Sequence, residues 1–321
     1  MRTFLLLVLL ICQIGSFRSL QAQNREILAE LKIGVIGRSL ADPSYQAVHS
    51  GARDAARALS QSYSIDVELR VLTPQLSNGQ TQSSALGQLL IEGADGFIIS
   101  PEINSEVEES IRFAIEEGQK AVVFEGLKPV ANALAQVVAN ERAAGRQAGK
   151  AIQSKLPTRG RIAILTSEQP NEAELARLDG LRDALGYKRI ECIVTCQPNY
   201  RSANEAIRLA EEKDRGHLIK GWVFLNDWPL RGAPALPWPP GKLPCVAIQS
   251  SPATFIYLDE GYLSAFVAHP YYDWGYRSME MLIQSLYRKQ SPEPSTLVLG
   301  TRVINKDNAE AYRREWQEWL N

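Results

Sequence analysis

Histidine is scarce: there are three in 321 residues, at positions 49, 217 and 269, and none stand at a metal-ligand spacing. Cysteine is almost as rare, four in all, and no Cys or His pair completes a zinc pattern. A Walker loop, a G-x-G-x-x-G turn and a G-x-S-x-G elbow are all missing. No nucleophile stands beside an evident base. Glu168 and Glu172 lie near a strand end, where exposed loop charge is a better account of them than a working acid–base pair. The sequence therefore assigns no catalytic residue, no metal and no cofactor. An excess of either charge is absent too, with 35 Lys and Arg against 36 Asp and Glu, evenly spread. That balance excludes a surface built for nucleic acid and an acidic tail.

Long hydrophobic runs are missing beyond the N-terminus. There, Arg2 precedes an apolar stretch from Phe4 to Ile14, too short to span a bilayer as a helix. A polar segment comes next, and Leu20-Gln21-Ala22 places a small residue at a cleavage edge. Residues 1–22 read as a secretory signal; the alternative is an uncleaved N-terminal anchor. Ile11 before Cys12 argues against a lipoprotein. Export leaves Cys192, Cys196 and Cys245. Three is odd, so at least one is unpaired or pairs between chains. Cys192 and Cys196 lie in a strand-like run, RIECIVTC, and four residues along a straight strand exceed disulfide reach. They read as small buried hydrophobes.

What is present is repetition, in a chain longer than one core usually holds. KIGVIG (32–37) reads as a strand. Asp42-Pro43 starts a helix, with Asp as N-cap, and Tyr45, Val48, Ala52, Ala55 and Leu59 lie along one face. Strand 66–72, helix 80–92, strand 96–100, helix 104–118 and strand 121–125 come after it. The series then restarts with strand 135–139, helix 141–155, strand 161–167, helix 171–185, strand 189–196, helix 202–214 and strand 222–226. Two βαβ series in tandem predict doubly wound parallel sheets, and the connector EGLKPVAN marks a domain crossing between them. After Asn226 the pattern breaks down, because WPLRGAPALPWPPGKLP holds six prolines in seventeen residues, which excludes a regular helix. Strand 245–250, the undecided stretch ATFIYLDEG, strand 263–269, helix 272–288, strand TLVLGTRVI and a last helix complete the chain.

Ligands bind beyond the carboxyl ends of strands in such sheets, where helix N-termini aim N–H groups into a crevice. The polar and aromatic residues at those ends are Asp42, Tyr45 and Glu125 in the first half. In the second they are Tyr200, Asn226, Asp227, Trp228, Gln249, Ser250 and His269, with Arg177 in a helix on the same side. Each has a plainer reading: Asp42 as a helix cap, Tyr45 as core, Arg177 as surface charge, His269 as structural. Their mapping to one side of two sheets gives the set its weight.

These residues carry a resemblance. KIGVIGRSLADPSYQAVHSGARDAA, GADGFIISPEINSEVEESIRFAIEEGQKAVVFE, VVANERAAGRQAGKAI, FLND and DEGYLSAFVAHPYYDWGYRSMEMLI stand in the order and spacing of the type I periplasmic substrate-binding proteins. The chain is most similar to the ribose- and galactose-binding group that serves ABC sugar transporters. The resemblance implies an α/β fold of two doubly wound parallel-sheet lobes joined by a multi-strand hinge. One lobe is expected over 31–128 plus 254–292, the other over 129–253 plus 293–321. It also implies a periplasmic monomer that is not an enzyme. A monosaccharide or related polyol would bind between the lobes and be presented to a membrane permease, or, alternatively, to a receptor such as a histidine kinase.

The family's sugar-contacting positions fall on Asp42, Tyr45, Glu125, Arg177, Tyr200 and Asn226, with Gln249 and Ser250 near a later strand end. Asp227 would cap a following helix rather than touch ligand, but the prolines erode that helix and leave open what it caps. Three departures imply a ligand other than ribose. Gly126 replaces the Arg that usually stands after Glu125, His269 replaces a Gln, and an Asp near Ser250 is absent. A transcription regulator of the same fold would need a DNA-binding helix-turn-helix before Lys32, where the chain is apolar and signal-like.

Overall fold

A computed structural model describes residues 26–76, 79–233 and 236–321; the segment read as an export signal lies outside them. No helix among the described residues is long and apolar enough to cross a membrane. The first series runs β1 (Glu30–Ile36), α1 (Pro43–Tyr63), β2 (Asp66–Val71), α2 (Gly79–Ile91), β3 (Gly96–Ile99), α3 (Ser105–Glu116) and β4 (Lys120–Phe124). The second runs β5 (Ala135–Ala139), α4 (Glu141–Gln153), β6 (Arg161–Ser167), α5 (Glu172–Leu185), β7 (Ile190–Cys196), α6 (Tyr200–Lys213) and β8 (Ile219–Phe224). Then come β9 (Cys245–Ile248), α7 (Pro252–Glu260), β10 (Ala265–Ala268), α8 (Tyr271–Arg288), β11 (Thr296–Leu299), β12 (Arg302–Ile304) and α9 (Ala309–Leu320).

The strands form two six-stranded sheets, ordered β11-β5-β4-β3-β1-β2 and β12-β10-β9-β8-β6-β7. Helices cover them, giving the two doubly wound α/β lobes the sequence implied. Every pairing is parallel except β12 on β10. The inner strands β3, β5, β8, β9 and β10 are buried almost throughout, as strands covered on both faces must be.

The lobe boundaries differ from the expected ones. β5 pairs with β4 (Val122↔Ala135) and so belongs to the first sheet. The chain therefore crosses at Asn140, whose side chain caps α4 by accepting from Ala143 N at 2.9 Å, and not at 128/129. The Gly- and Pro-bearing connector 125–134 only joins two neighbouring strands. β10 belongs to the second sheet and α8 packs on the first, so the second crossing is at 269–270, not 253/254. TLVLGTRVI, expected as one strand, is two strands in different sheets. The third crossing therefore lies at Gly300-Thr301, not 292/293. The undecided ATFIYLDEG is α7, with Pro252 in its first turn and Gly261 (φ 87°) closing it in the left-handed region.

The last helix, α9, packs on α1 of the first lobe and α7 of the second. Its Tyr312 and Trp316 are buried, and with Tyr271, Trp274 and the partly buried Trp319 they form a continuous aromatic cluster beside the crossings. The three cysteines are unpaired thiols, with Cys196 and Cys245 buried and Cys192 half-buried.

Candidate functional site

The first lobe brings Tyr45 and Glu125 together at the carboxyl ends of β1, β3 and β4. Gly37 ends β1 under the Tyr45 ring, and a Cβ built there would stand 2.5 Å from Tyr45 Cδ1. With that space left open, Tyr45 lies against the strand end and its hydroxyl donates to Glu125 Oε2 at 2.7 Å. Ser100 Oγ donates to the same oxygen at 2.7 Å, Arg38 Nε donates to Tyr45 Oη at 2.6 Å, and an Arg38 terminal nitrogen pairs with Glu125 Oε1. Burial would raise the Glu125 pKa, but the Arg38 guanidinium outweighs it and holds the carboxyl below its ordinary range. Where Gly126 offers no guanidinium, Arg38 supplies one to Glu125 from the end of β1, two strands away from β4. Tyr45 is nearly buried, so it offers little ring face for stacking.

The second lobe brings Arg177, Asn226 and His269 into one buried network. Arg177 Nε donates to Glu141 Oε2 at 2.6 Å, and Nη1 donates to Leu225 O at 2.9 Å and Asn226 Oδ1 at 2.8 Å. Asn226 Nδ2 donates to Glu174 Oε1 at 2.8 Å. Each end of the amide therefore holds one partner and keeps one lone pair or N–H for another. Glu174 also accepts from Ser167 N, Ser167 Oγ and the N-cap backbone of Asn171, so the capping box of α5 is part of the network. His269 Nε2 is 3.1 Å from both Glu141 oxygens and donates its N–H to them, while the buried Nδ1 has no protein partner. Burial works against the Glu141 charge, yet Arg177 and His269 hold its carboxyl well below the ordinary range. Arg177 is thus no surface charge: its side chain is 4% exposed.

Among the described residues one ion pair joins the two lobe walls. Arg231, in the Pro-rich segment after β8, reaches Asp42 Oδ2 at 3.0 Å across the interlobe boundary and Asp227 Oδ1 at 2.9 Å on its own side. Asp42 also caps α1, accepting from Ser44 N at 3.0 Å. Asp227 is fully buried and its side chain caps nothing; the proline-rich stretch after it forms a single 3-10 turn, Trp228–Leu230. Burial raises the Asp227 pKa, and Arg231 offsets only part of that. Tyr257 Oη lies 3.1–3.3 Å from the carbonyls of Pro229, Gly232 and Ala233, so the stretch carrying Arg231 is pinned from below. Arg231→Gln leaves Asp227 buried without a counter-ion and removes the only ion pair between these two lobe walls among the described residues. Small-angle scattering of the ligand-free variant is expected to show a larger radius of gyration, with a melting temperature a few degrees lower. Unchanged scattering would mean the bridge holds nothing shut.

The other expected residues are less well placed for a shared site. The backbone of Gly232 lies over the Tyr200 ring, where a Cβ would be 2.7 Å from Cζ. Ser250 is buried, its N–H donating to Tyr271 Oη at 3.2 Å and its Oγ 3.3 Å from Tyr312 Oη. Gln249 ends β9 with a left-handed backbone, φ 72°. Among the described residues no cluster of His, Cys, Asp and Glu could hold a metal ion.

Arg38, Ser100, Glu141, Glu174 and Arg231 were not anticipated. Arg38, Ser100 and Glu141 stand directly after strand ends, so the rule that found Glu125 would have found them. Glu174 sits three residues after the Asn171 cap, a readable signature. Arg231 lies among prolines with no local signal.

A sequence family described as a periplasmic binding protein domain matches residues 33–290. No protein of curated function matches the chain by sequence. Among solved structures, a periplasmic ribose ABC transporter protein from Conexibacter woesei superposes with a TM-score of 0.76 at 16% identity, over 92% of this chain and 99% of that one. A solute-binding protein from Agrobacterium vitis, bound to α-D-tagatopyranose, gives 0.74 at 16%, over 88% and 98%. A glucose-galactose binding protein from Geobacillus stearothermophilus gives 0.71 at 20%, over 87% and 98%. At these identities the likeness is one of fold.

Proposed function

The chain belongs to the periplasmic binding protein domain family, and from that premise we propose that it is an exported solute-binding protein for a small sugar or polyol. The ligand is held between the lobes and presented to an ABC permease in the membrane. The observation that carries this reading is the pair of polar walls at the strand ends of opposite lobes, Arg38–Tyr45–Glu125 on one and Arg177–Asn226 on the other. Both are rich in hydrogen-bonding groups fixed by their neighbours. Such walls bind a hydroxylated ring by substitution of fixed partners, and binding both at once shifts a hinge equilibrium toward closure. No covalent step is needed. The solved structures of the same fold, whose names include ribose, glucose-galactose and tagatose binders, support a monosaccharide as the ligand class.

A thermal-shift screen of monosaccharides and polyols on the chain without residues 1–22 tests this. At least one is expected to raise the melting temperature in a saturable way. Glu125→Gln is expected to weaken that ligand by about tenfold or more, since hydrogen bonds to charged groups are worth roughly 1.5–3 kcal/mol. Silence across the screen, with protein that is folded by circular dichroism, overturns the reading.

A further inference from the structure

A second pocket lies at the hinge and shares only His269 with the polar networks. It has a volume of about 360 Å³ and is lined by residues of the second crossing (Ala268, His269, Pro270), the third (Gly300, Arg302), α8 (Tyr272, Asp273) and α9 (Glu315, Trp319). That volume lies within the usual range for small-molecule sites. His269 was expected among the cleft contacts. Here it lines this pocket, and with Nε2 committed to Glu141, its buried Nδ1 has no protein partner.

The charged side chains lining the pocket are Asp273 and Glu315 against Arg302. Arg302 is the one arginine or lysine in the lining; each terminal nitrogen donates one N–H to the Glu315 carboxylate, at 2.9 and 2.5 Å, and its guanidinium lies 4.9 Å from the Tyr312 ring centroid. Asp273 has neither a hydrogen bond nor an ion pair within the described protein. The charged group left without a partner is therefore the Asp273 carboxylate. Beside them, Trp319 stacks on Tyr272 with ring centroids 5.8 Å apart and planes at 17°. An unpaired carboxylate, a preponderance of acidic side chains and an indole are complementary to a donor-rich cation, which gains from both the carboxylate and the aromatic face. An anionic ligand would meet Asp273 and Glu315 with only Arg302, already paired to Glu315, to offset them.

We propose that the hinge pocket is a second ligand site, that it takes a small organic ammonium ion, and that its occupancy is coupled to lobe closure. The coupling arises from where the lining comes from. Arg302 belongs to the second lobe's sheet and Asp273 to a helix of the first, and two of the three crossings contribute to the lining. Rotation about the crossings changes the separation of these walls, so a ligand that bridges them favours one lobe angle over others.

Benzylammonium chloride serves as the probe, titrated by tryptophan fluorescence at constant ionic strength, with benzyl alcohol as its uncharged counterpart. Saturable binding is expected, at least about tenfold tighter than that of the alcohol. Asp273→Asn should lose that tenfold preference while keeping the wild-type circular dichroism, since Asp273 is exposed and unpaired. Glu125→Gln, in the cleft, should bind the probe as the wild type does. The radius of gyration should shift on saturation of the wild type and stay constant for Asp273→Asn. Equal binding of alcohol and ammonium, or an Asp273→Asn protein that keeps the preference, overturns the assignment. Loss of binding in Glu125→Gln would move the ammonium to the cleft and equally end the proposal.

Discussion

Gly180→Ala is expected to leave little or no native protein. α5 crosses α4 with their backbones in contact, because each contributes a glycine at the crossing. A Cβ at Gly180 would lie 1.9 Å from Arg142 O, and one at Gly145 would lie 1.9 Å from Arg177 O. The other lobe repeats the device where α1 crosses α8: a Cβ at Gly275 would lie 1.9 Å from Val48 O and one at Gly51 2.1 Å from Tyr272 O. No rotamer relieves a clash with a carbonyl inside a helix, so the helices must part. Ordinary overpacking costs about 1–3 kcal/mol, and a backbone clash that parts two helices belongs at or above the top of that range. Parting α4 from α5 also pulls Arg177 from Glu141, so the site is lost with the packing. Gly87→Ala provides the contrast. Gly87 is an exposed position in α2 with nothing within 4 Å of its Cβ, and alanine there should stabilise by roughly 0.5–1 kcal/mol through helix propensity. Urea unfolding of both variants decides the matter, and a Gly180→Ala protein as stable as the wild type would refute the account of the crossing.

Glu141→Gln comes next in size. Glu141 and Arg177 have side chains 2% and 4% exposed, and the carboxylate also holds His269. Removing its charge strands the Arg177 guanidinium in a buried site, a change that costs about 3–5 kcal/mol in comparable cases. Replacing both partners, as Glu141→Gln with Arg177→Met, should recover part of the loss, since no buried charge is left alone. The pH dependence has a definite sign. Because the folded carboxyl is held well below its ordinary range, its contribution is fully present above the unfolded carboxylate pKa and is lost as pH falls through the folded one. The difference in stability between wild type and Glu141→Gln should therefore be widest near neutrality and shrink toward strong acid. A difference under about 1 kcal/mol at pH 7 would show that the pair is incidental. The two residues also join the crossings, since Glu141 stands just after the first and His269 lies in the second, so the variant should loosen the hinge as well.

Much of this architecture was legible in the residues alone. The strand and helix runs come from alternation, helical spacing and caps such as Asp42-Pro43. Those signals are local, and the bounds of β5 and β6 emerged unchanged. The strand-end rule picked out Glu125 and Asn226, both of which sit in buried or nearly buried networks. The misplaced crossings have a common cause. Whether β5 joins one sheet or the other depends on which neighbour it pairs with, and a Gly- and Pro-bearing loop looks the same inside a lobe as between lobes.

The amino-acid sequence by itself determined the alternation of strands and helices, the α/β class and the polar residues at the strand ends, because periods of two and 3.6 residues and capping chemistry act over a few neighbours. Tertiary structure alone decided which of those residues answer one another. Glu141 meets His269 from 128 positions away, Arg38 reaches Glu125 from the end of another strand, and Arg231 reaches across to Asp42 out of a stretch with no regular pattern. Hydrogen bonds and ion pairs depend on separations near 3 Å, and only the packed fold sets those.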